Sequence, residues 1–324
     1  MLKWLSLLVL ALPILSLTHT QVSGYLQVRY SENYRNVRSF SLRRTKLWFK
    51  GDAPLPHWQF KLQGIFRWQN KGSLVLQDAY AQYNYSPFYL KIGQMVPDFS
   101  LERNQSDYRL PIIERARIID ALIPSAETLA RDIGLQAVLQ PKDKRYHIGL
   151  GIFNGNGANH SLNNDRNFLF TLRGNTTFVL PGQWKITPGI SFAYRQCTHL
   201  ALKKIFNHSE LFTGTDKRWG AEFSISNDKW LFQGEFLQAF LDGNSAQGFY
   251  FLLNRTFNNK HQATFSVERF VDLSEKTSDQ MIYIFDYGYL LNTVKNKILL
   301  DIRAQPDGHR LNLSNAIQLQ LFFN

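Results

Sequence analysis

A chain of 324 residues that is 44% hydrophobic and 14% aromatic can bury a sizeable core, yet its negative mean hydropathy scatters those apolar residues among many polar ones, unlike an ordinary cytosolic enzyme. The formal net charge of +12 points to anionic partners. The single cysteine, Cys197, excludes an internal disulfide framework and argues against a thiolate metal cluster.

Residues 1–20 read as a secretory signal peptide: Lys3, an apolar run from about Leu7 to Leu17, then small or polar residues. The mature chain, 21–324, is expected to start near Gln21, with no cysteine following to carry a lipid anchor. After the signal no stretch reaches 18 apolar residues, so a helical anchor is not expected. Export also makes nucleic acid an unnatural partner.

From there the dominant pattern is period two, the alternation of a strand with one apolar face. In WQFKLQGIFRW, Trp58, Phe60, Leu62, Gly64, Phe66 and Trp68 fall on one side, with Gln59, Lys61, Gln63 and Arg67 on the other. The pattern recurs with Trp184, Ile186, Ile190, Phe192 and Tyr194, then with Trp230, Phe232, Phe236 and Phe240. It returns with Met281, Tyr283, Phe285, Tyr287 and Tyr289, and ends with Ile317, Leu319, Leu321 and Phe323 against Gln318 and Gln320. One face suits lipid and the other water, and aromatic segment ends suit the two membrane interfaces.

The segments predict about sixteen strands: 24–31, 38–50, 57–68, 74–85, 88–95, 132–140, 146–153, 167–176, 183–195, 217–226, 229–240, 246–256, 261–270, 280–290, 295–304 and 311–323. Short turn-like connectors alternate with connectors that are longer on average, the longest after the fifth strand. That asymmetry predicts an all-β fold, a transmembrane antiparallel barrel wide enough for a water-filled lumen. A soluble sandwich would have to hide in one core the large aromatics that nearly every strand carries.

Arg44, Lys46 and Lys50 share one face of the second predicted strand, and Lys61 and Arg67 share the polar face of the third. Turning such a charge toward lipid at mid-bilayer would cost roughly 2–4 kcal/mol, so these five are assigned to the lumen. Adjacent Arg43 and Arg44 are expected to point to opposite faces.

In order, LRRTKLWFKG (42–51), DAYAQY (78–83), GQMVPDFSLE (93–102), IIERA (112–116), RDIGLQ (131–136) and GIFNGNG (151–157) resemble the phosphate-selective porin O and P family. The resemblance covers most of the chain. It implies a sixteen-stranded, typically trimeric outer-membrane porin of a Gram-negative bacterium, set among outer-membrane lipid and lipopolysaccharide. It also implies a long third loop, Gln94 to Arg131, folded into the lumen as a constriction, and an anion channel. Val96 stands where members often have Lys, and Asp98 where Pro usually precedes Phe99.

The loop supplies Arg103, Arg109, Arg115, Arg117 and Arg131 as anion-binding candidates beside Arg43, Arg44, Lys46, Lys50, Lys61 and Arg67. Arginine suits phosphate because its planar fork can hold two oxygens and stays charged. Against the loop's five arginines stand seven acids, Asp98, Glu102, Asp107, Glu114, Asp120, Glu127 and Asp132, so anion preference requires those acids to pair, cap or face away.

Other chemistry has little support. The NGNG run has the glycines of turns with positive backbone angles but no following Lys-Ser/Thr pair to cradle phosphate, and the eight histidines are not spaced as metal ligands. No cofactor or catalytic residue is implied. The alternatives are a general or weakly cation-preferring porin and, from other classes, a phospholipase-like barrel using Asn159, His160 and Ser161 or an adhesin.

Overall fold

The structure, a computed structural model, describes residues 20–33, 37–67, 72–160, 162–163, 165–206, 211–273, 279–307 and 310–324. The segment assigned to export, Trp68 and Ser161, together with the side chain of Arg67, lies outside the described residues, apart from Thr20.

Sixteen antiparallel strands close one barrel. They are β1 (Gln21–Asn33), β2 (Val37–Asp52), β3 (Trp58–Arg67), β4 (Ser73–Tyr85), β5 (Phe88–Met95), β6 (Asp132–Leu139) and β7 (Tyr146–Phe153). β8 runs in two pieces, Leu169–Thr176 and Phe178–Leu180, which pair with the same neighbour. The rest are β9 (Trp184–Ala201), β10 (Leu211–Ser226), β11 (Trp230–Leu241), β12 (Asn244–Phe257), β13 (His261–Val271), β14 (Met281–Thr293), β15 (Asn296–Asp307) and β16 (Arg310–Phe323). Each pairs with its sequence neighbours, and β1 also pairs with β16, Gly24 opposite Phe323 and Asn33 opposite Ser314. That last pairing leaves no sheet edge, as a bilayer requires.

The alternation is inside out relative to a soluble protein. On β16, Gln318 and Gln320 are each 1% exposed while Leu319 and Leu321 are 37% and 42% exposed. Outward apolar rings and inward amides are stable together only if the outer surface meets lipid. No described helix is long and apolar enough to cross a membrane.

The sixteen predicted strands are all present, with one notable extension. β9 and β10 continue to the pair Ala201 and Leu211, and a short helix, α3 (Lys203–Phe206), follows β9. The polar run QCTHLA hid this because its alternation carries little apolar contrast. In the NGNG run, Gly155 and Gly157 take φ of 86° and 90°, the predicted positive angles. A Cβ on Gly157 would collide with the Thr128 side chain, so glycine is required there.

Residues 96–131 connect β5 to β6, so Gln94 and Met95 belong to β5. The connection holds α1 (Leu101–Asn104) and α2 (Arg117–Ala121). Phe99, Leu110, Ile112, Ile118, Ile119, Leu122 and Ile123 form one buried apolar cluster with Leu237, Ala239 and Leu241 of β11, Ala246 and Leu252 of β12, and Phe270 of β13. The inward faces of β11 and β12 are apolar where this segment leans on them. Those of β2 to β4, with Arg44, Lys46, Lys61, Gln63 and Asp78, are charged or polar.

Candidate functional site

Backbone donors at the starts of short helices need partners, and here the barrel wall supplies them. Both carboxylate oxygens of Glu235 accept bonds at the start of α1, from the amides of Leu101 at 3.0 Å and Glu102 at 2.7 Å. Glu268 takes the amide of Arg117 at 2.8 Å and its guanidinium at 3.0 Å. Asp286 accepts from the amide of Ile113 at 3.2 Å. At the tip of the connection, Arg218 donates to the carbonyls of Leu122 and Ile123 at 3.0 and 2.8 Å, while Asp216 bridges Arg218 and Arg195. From outside, Lys204 of α3 donates its amide to Glu127.

The acids of the connection are therefore dispersed. Asp98 lies between His147 at 2.5 Å and Arg173 at 3.3 Å, behind the segment. Burial alone would raise its pKa, but the hydrogen bond from His147 and the charge of Arg173 prevail and lower it. Asp132, at the start of β6, accepts from Ser125 and from the amide of Gly157. Glu114 binds Arg29 and Arg44, each at 2.6 Å, as well as Arg43. Burial pushes Glu114 up, yet Arg44, Arg43 and Arg29 together hold it below the usual carboxylate range.

That last contact overturns the expectation that Arg43 and Arg44 face opposite ways. Gln27 lies opposite Arg44, but the next residue, Val28, lies opposite Leu42. Arg43 is thus the extra residue of a β-bulge, which resets the strand's phase and lets both arginines reach one carboxylate.

Glu102 is less fully paired than Asp98 or Glu114. Its Oε1 accepts from the amide of Ala116 at 3.1 Å and lies 4.0 Å from Arg115, while Oε2 has no partner among the described residues. Burial raises its pKa to about 8, against the pull of Arg115 and with help from Glu235 and Glu268. A pKa raised on folding contributes stability that is full below the unfolded value and disappears as pH rises through the folded one. Accordingly, the melting temperature is expected to fall between about pH 5 and 8, and Glu102→Gln to flatten that fall. A thermal melt series on both proteins checks this, and equal slopes would refute it.

Two cavities lie between the connection and the polar wall. One, of about 700 Å³, extends toward the end with the longer connectors and is lined by Phe40, Arg43, Arg44 and Lys204 among others. The second, of about 260 Å³, extends toward the short turns, past Trp48, Lys61, Tyr80 and Lys91. Five residues line both: Lys46, Arg103, Asp107, Arg115 and Arg131. They form a neck of four cations and one carboxylate.

Within the neck, Asp107 binds Lys46 at 2.5 Å and Arg115 at 2.6 Å, and accepts from the Tyr25 hydroxyl at 3.0 Å. Arg131 binds Asp78 at 2.9 Å, which also takes Lys61 at 2.6 Å. Arg103 makes no ion pair among the described residues. It donates to the carbonyls of Leu129 and Ala130, and its buried Nε has no partner among the described residues. Burial, then the like charges of Arg131 and Arg115, pull its pKa down from the ordinary arginine value.

Of the sequence candidates, the structure gathers Arg103, Arg115, Arg131 and Lys46 at the neck, with Arg43 and Arg44 on one side and Lys61 on the other. Arg109 is exposed and stacked over Tyr108, and Arg117 is engaged by Glu268; neither lines a cavity. Lys50 shares the inward face with Lys46 but is exposed and lines neither cavity. Sequence reasoning missed Lys91 and Arg29, both of which alternate with apolar neighbours in their strands. Asn159 is occupied structurally, its amide donating to Gln94 and its side chain to the Leu76 carbonyl.

A family model for phosphate-selective porin O and P matches residues 21–254. The chain belongs to that family. It is an outer-membrane porin, and its solved structural neighbours share the barrel. An anion-selective porin from Comamonas acidovorans aligns at a TM-score of 0.64 and 10% identity, over 94% of this chain and 99% of that one. OmpF of Salmonella typhi, solved with daunomycin, aligns at 0.64 and 12% identity, over 94% and 97%. The trimer form of OmpT, an outer membrane protein of Vibrio cholerae, aligns at 0.62 and 9% identity, over 94% and 99%. No curated protein matches the porin's sequence.

Proposed function

We propose that this porin is a passive, anion-preferring diffusion channel, with phosphate among its permeant ions, exported by a signal peptide in residues 1–20. The observation that carries the reading is the neck, where four cations face one carboxylate although the loop as a whole holds more acids than arginines. Residues 96–131 act as the constriction loop inside the lumen, a role supported by their bonds to the inward faces of β9 to β14. Wall carboxylates take up several of the loop's backbone donors and wall arginines take up Asp98 and Glu114, while Arg103 makes no ion pair among the described residues and is left for an anion to meet.

Conduction needs sites strong enough to recruit an ion and weak enough to release it. Arg115, Arg131 and Lys46 are partly neutralised by Asp107 and Asp78, so several moderate sites replace one deep trap. Assembly as a homotrimer fits the trimer form known for the Vibrio cholerae neighbour.

The test is the zero-current potential of the refolded protein in a planar bilayer under a potassium chloride gradient, followed by phosphate titration. Chloride selectivity reduced by millimolar phosphate is expected; cation selectivity would leave a porin but reject the anion mechanism. In the same assay Glu114→Gln, which unburdens Arg29, Arg43 and Arg44, is expected to raise the chloride-to-potassium permeability ratio by about 2- to 5-fold, given the strength of close charge pairs near a protein surface. No rise would mean that those arginines do not face the ion path.

A further inference from the structure

The smaller cavity has a second chemical character that a bare inorganic anion does not need. Beyond the neck its cations share the space with ring faces. Trp48 and Tyr108 stack with centroids 5.9 Å apart and planes 9° from parallel, and both line the cavity. Across it, Lys91 holds its ammonium 5.3 Å from the ring centres of both Tyr80 and Tyr89 and makes no ion pair among the described residues. Trp48, Tyr80 and Tyr108 are each only half-buried, so ring surface remains toward the cavity.

Exposed aromatic surface beside water is costly unless something apolar covers it, and rings also draw flat or apolar groups by stacking. Phosphate and chloride cannot cover it. An anion with a planar body can, by placing its charged end among Arg103, Lys46 and Lys91 while its ring lies along Trp48.

Resting on the reading of the neck as an anion path, we propose that the inner cavity is a binding site for small organic anions with a ring-shaped body, aryl phosphate esters being the model ligand. The charged end uses the basic groups of the neck, and the body uses the Trp48, Tyr108 and Tyr80 rings. The porin then favours such esters over inorganic phosphate of equal charge.

The experiment compares phenyl phosphate with inorganic phosphate as blockers of chloride current through the full-length trimer in a planar bilayer, at a pH where both are dianions. Phenyl phosphate is expected to halve the current at a concentration about 10-fold lower, the scale of one aromatic stacking contact. Trp48→Ala is expected to abolish that difference while leaving block by inorganic phosphate and the zero-current potential unchanged. Trp48→Phe, which keeps a ring, is expected to retain most of the difference and serves if the alanine variant does not assemble. Equal block by the two anions in a chloride-selective wild-type channel would overturn the proposal while leaving the anion channel intact. Loss of chloride selectivity in the wild type would instead overturn the anion path and this site with it. A preference that survives in both Trp48 variants would overturn the assignment to these rings.

Discussion

Arg103→Glu is expected to lower the anion-to-cation permeability ratio roughly tenfold, because it changes by two charges the section where the two cavities share their lining. Counted over the five residues lining both cavities, the neck goes from +3 (four cations less one carboxylate) to +1 (three less two). Arg103 is the group to change because it has no carboxylate partner among the described residues, so the substitution removes no ion pair seen there. Arg103→Lys keeps the charge and should keep most of the ratio, whereas its fork geometry for phosphate is lost. Zero-current potentials for the two variants separate charge from shape. An unchanged ratio in Arg103→Glu would remove this residue from the ion path.

The largest loss of stability is expected from Asp216→Ala. Asp216 lies 2.8 Å from Arg195 and 2.7 Å from Arg218, and all three side chains are at most 3% exposed. Removing the shared carboxylate leaves two guanidinium groups buried without compensation, a change worth about 3–5 kcal/mol in comparable buried pairs. The consequence reaches the 96–131 connection, because Arg218 also holds the carbonyls of Leu122 and Ile123. Heat-modified gel mobility should therefore shift at a clearly lower temperature, and open-channel current should become noisier. An unaltered transition temperature would mean that water or neighbouring groups satisfy both arginines. Replacing Asp216 with Asn, which keeps the shape and one acceptor, should cost less.

The strands were legible because each needs only its own residues: a period-two run such as Tyr283, Phe285, Tyr287 and Tyr289 declares its lipid face without reference to any other segment. The longest connection was legible as a gap between the fifth and sixth patterns, and its resemblance to a porin constriction supplied a role. Which of its charges would gather could not be read, because that depends on partners far along the chain. Asp98, which departs from the family pattern, meets Arg173 and His147 and leaves the neck unaffected. Arg109 and Arg117 looked equivalent to Arg103 in the sequence, but a ring and a wall carboxylate divert them. Arg43 illustrates the other limit: one extra residue against β1 reverses the face of its side chain, and no local pattern marks where the bulge falls. Lys91 could have been found by the same alternation that identified Lys61.

The anchoring of residues 96–131 also implies an expected order of events in folding. Their partners on β11, β13 and β14 lie 134, 151 and 173 residues further along the chain. Contacts of such sequence separation form late, since the intervening chain must first be organised. The 96–131 segment is therefore expected to seat only after most of its wall partners have formed. Until then its isoleucines and phenylalanine lack the apolar face that covers them in the folded chain, so incompletely folded chains are expected to aggregate more readily. Assembly of this porin is thus expected to have two late long-range steps, the β1–β16 seam and the docking of residues 96–131 onto the wall.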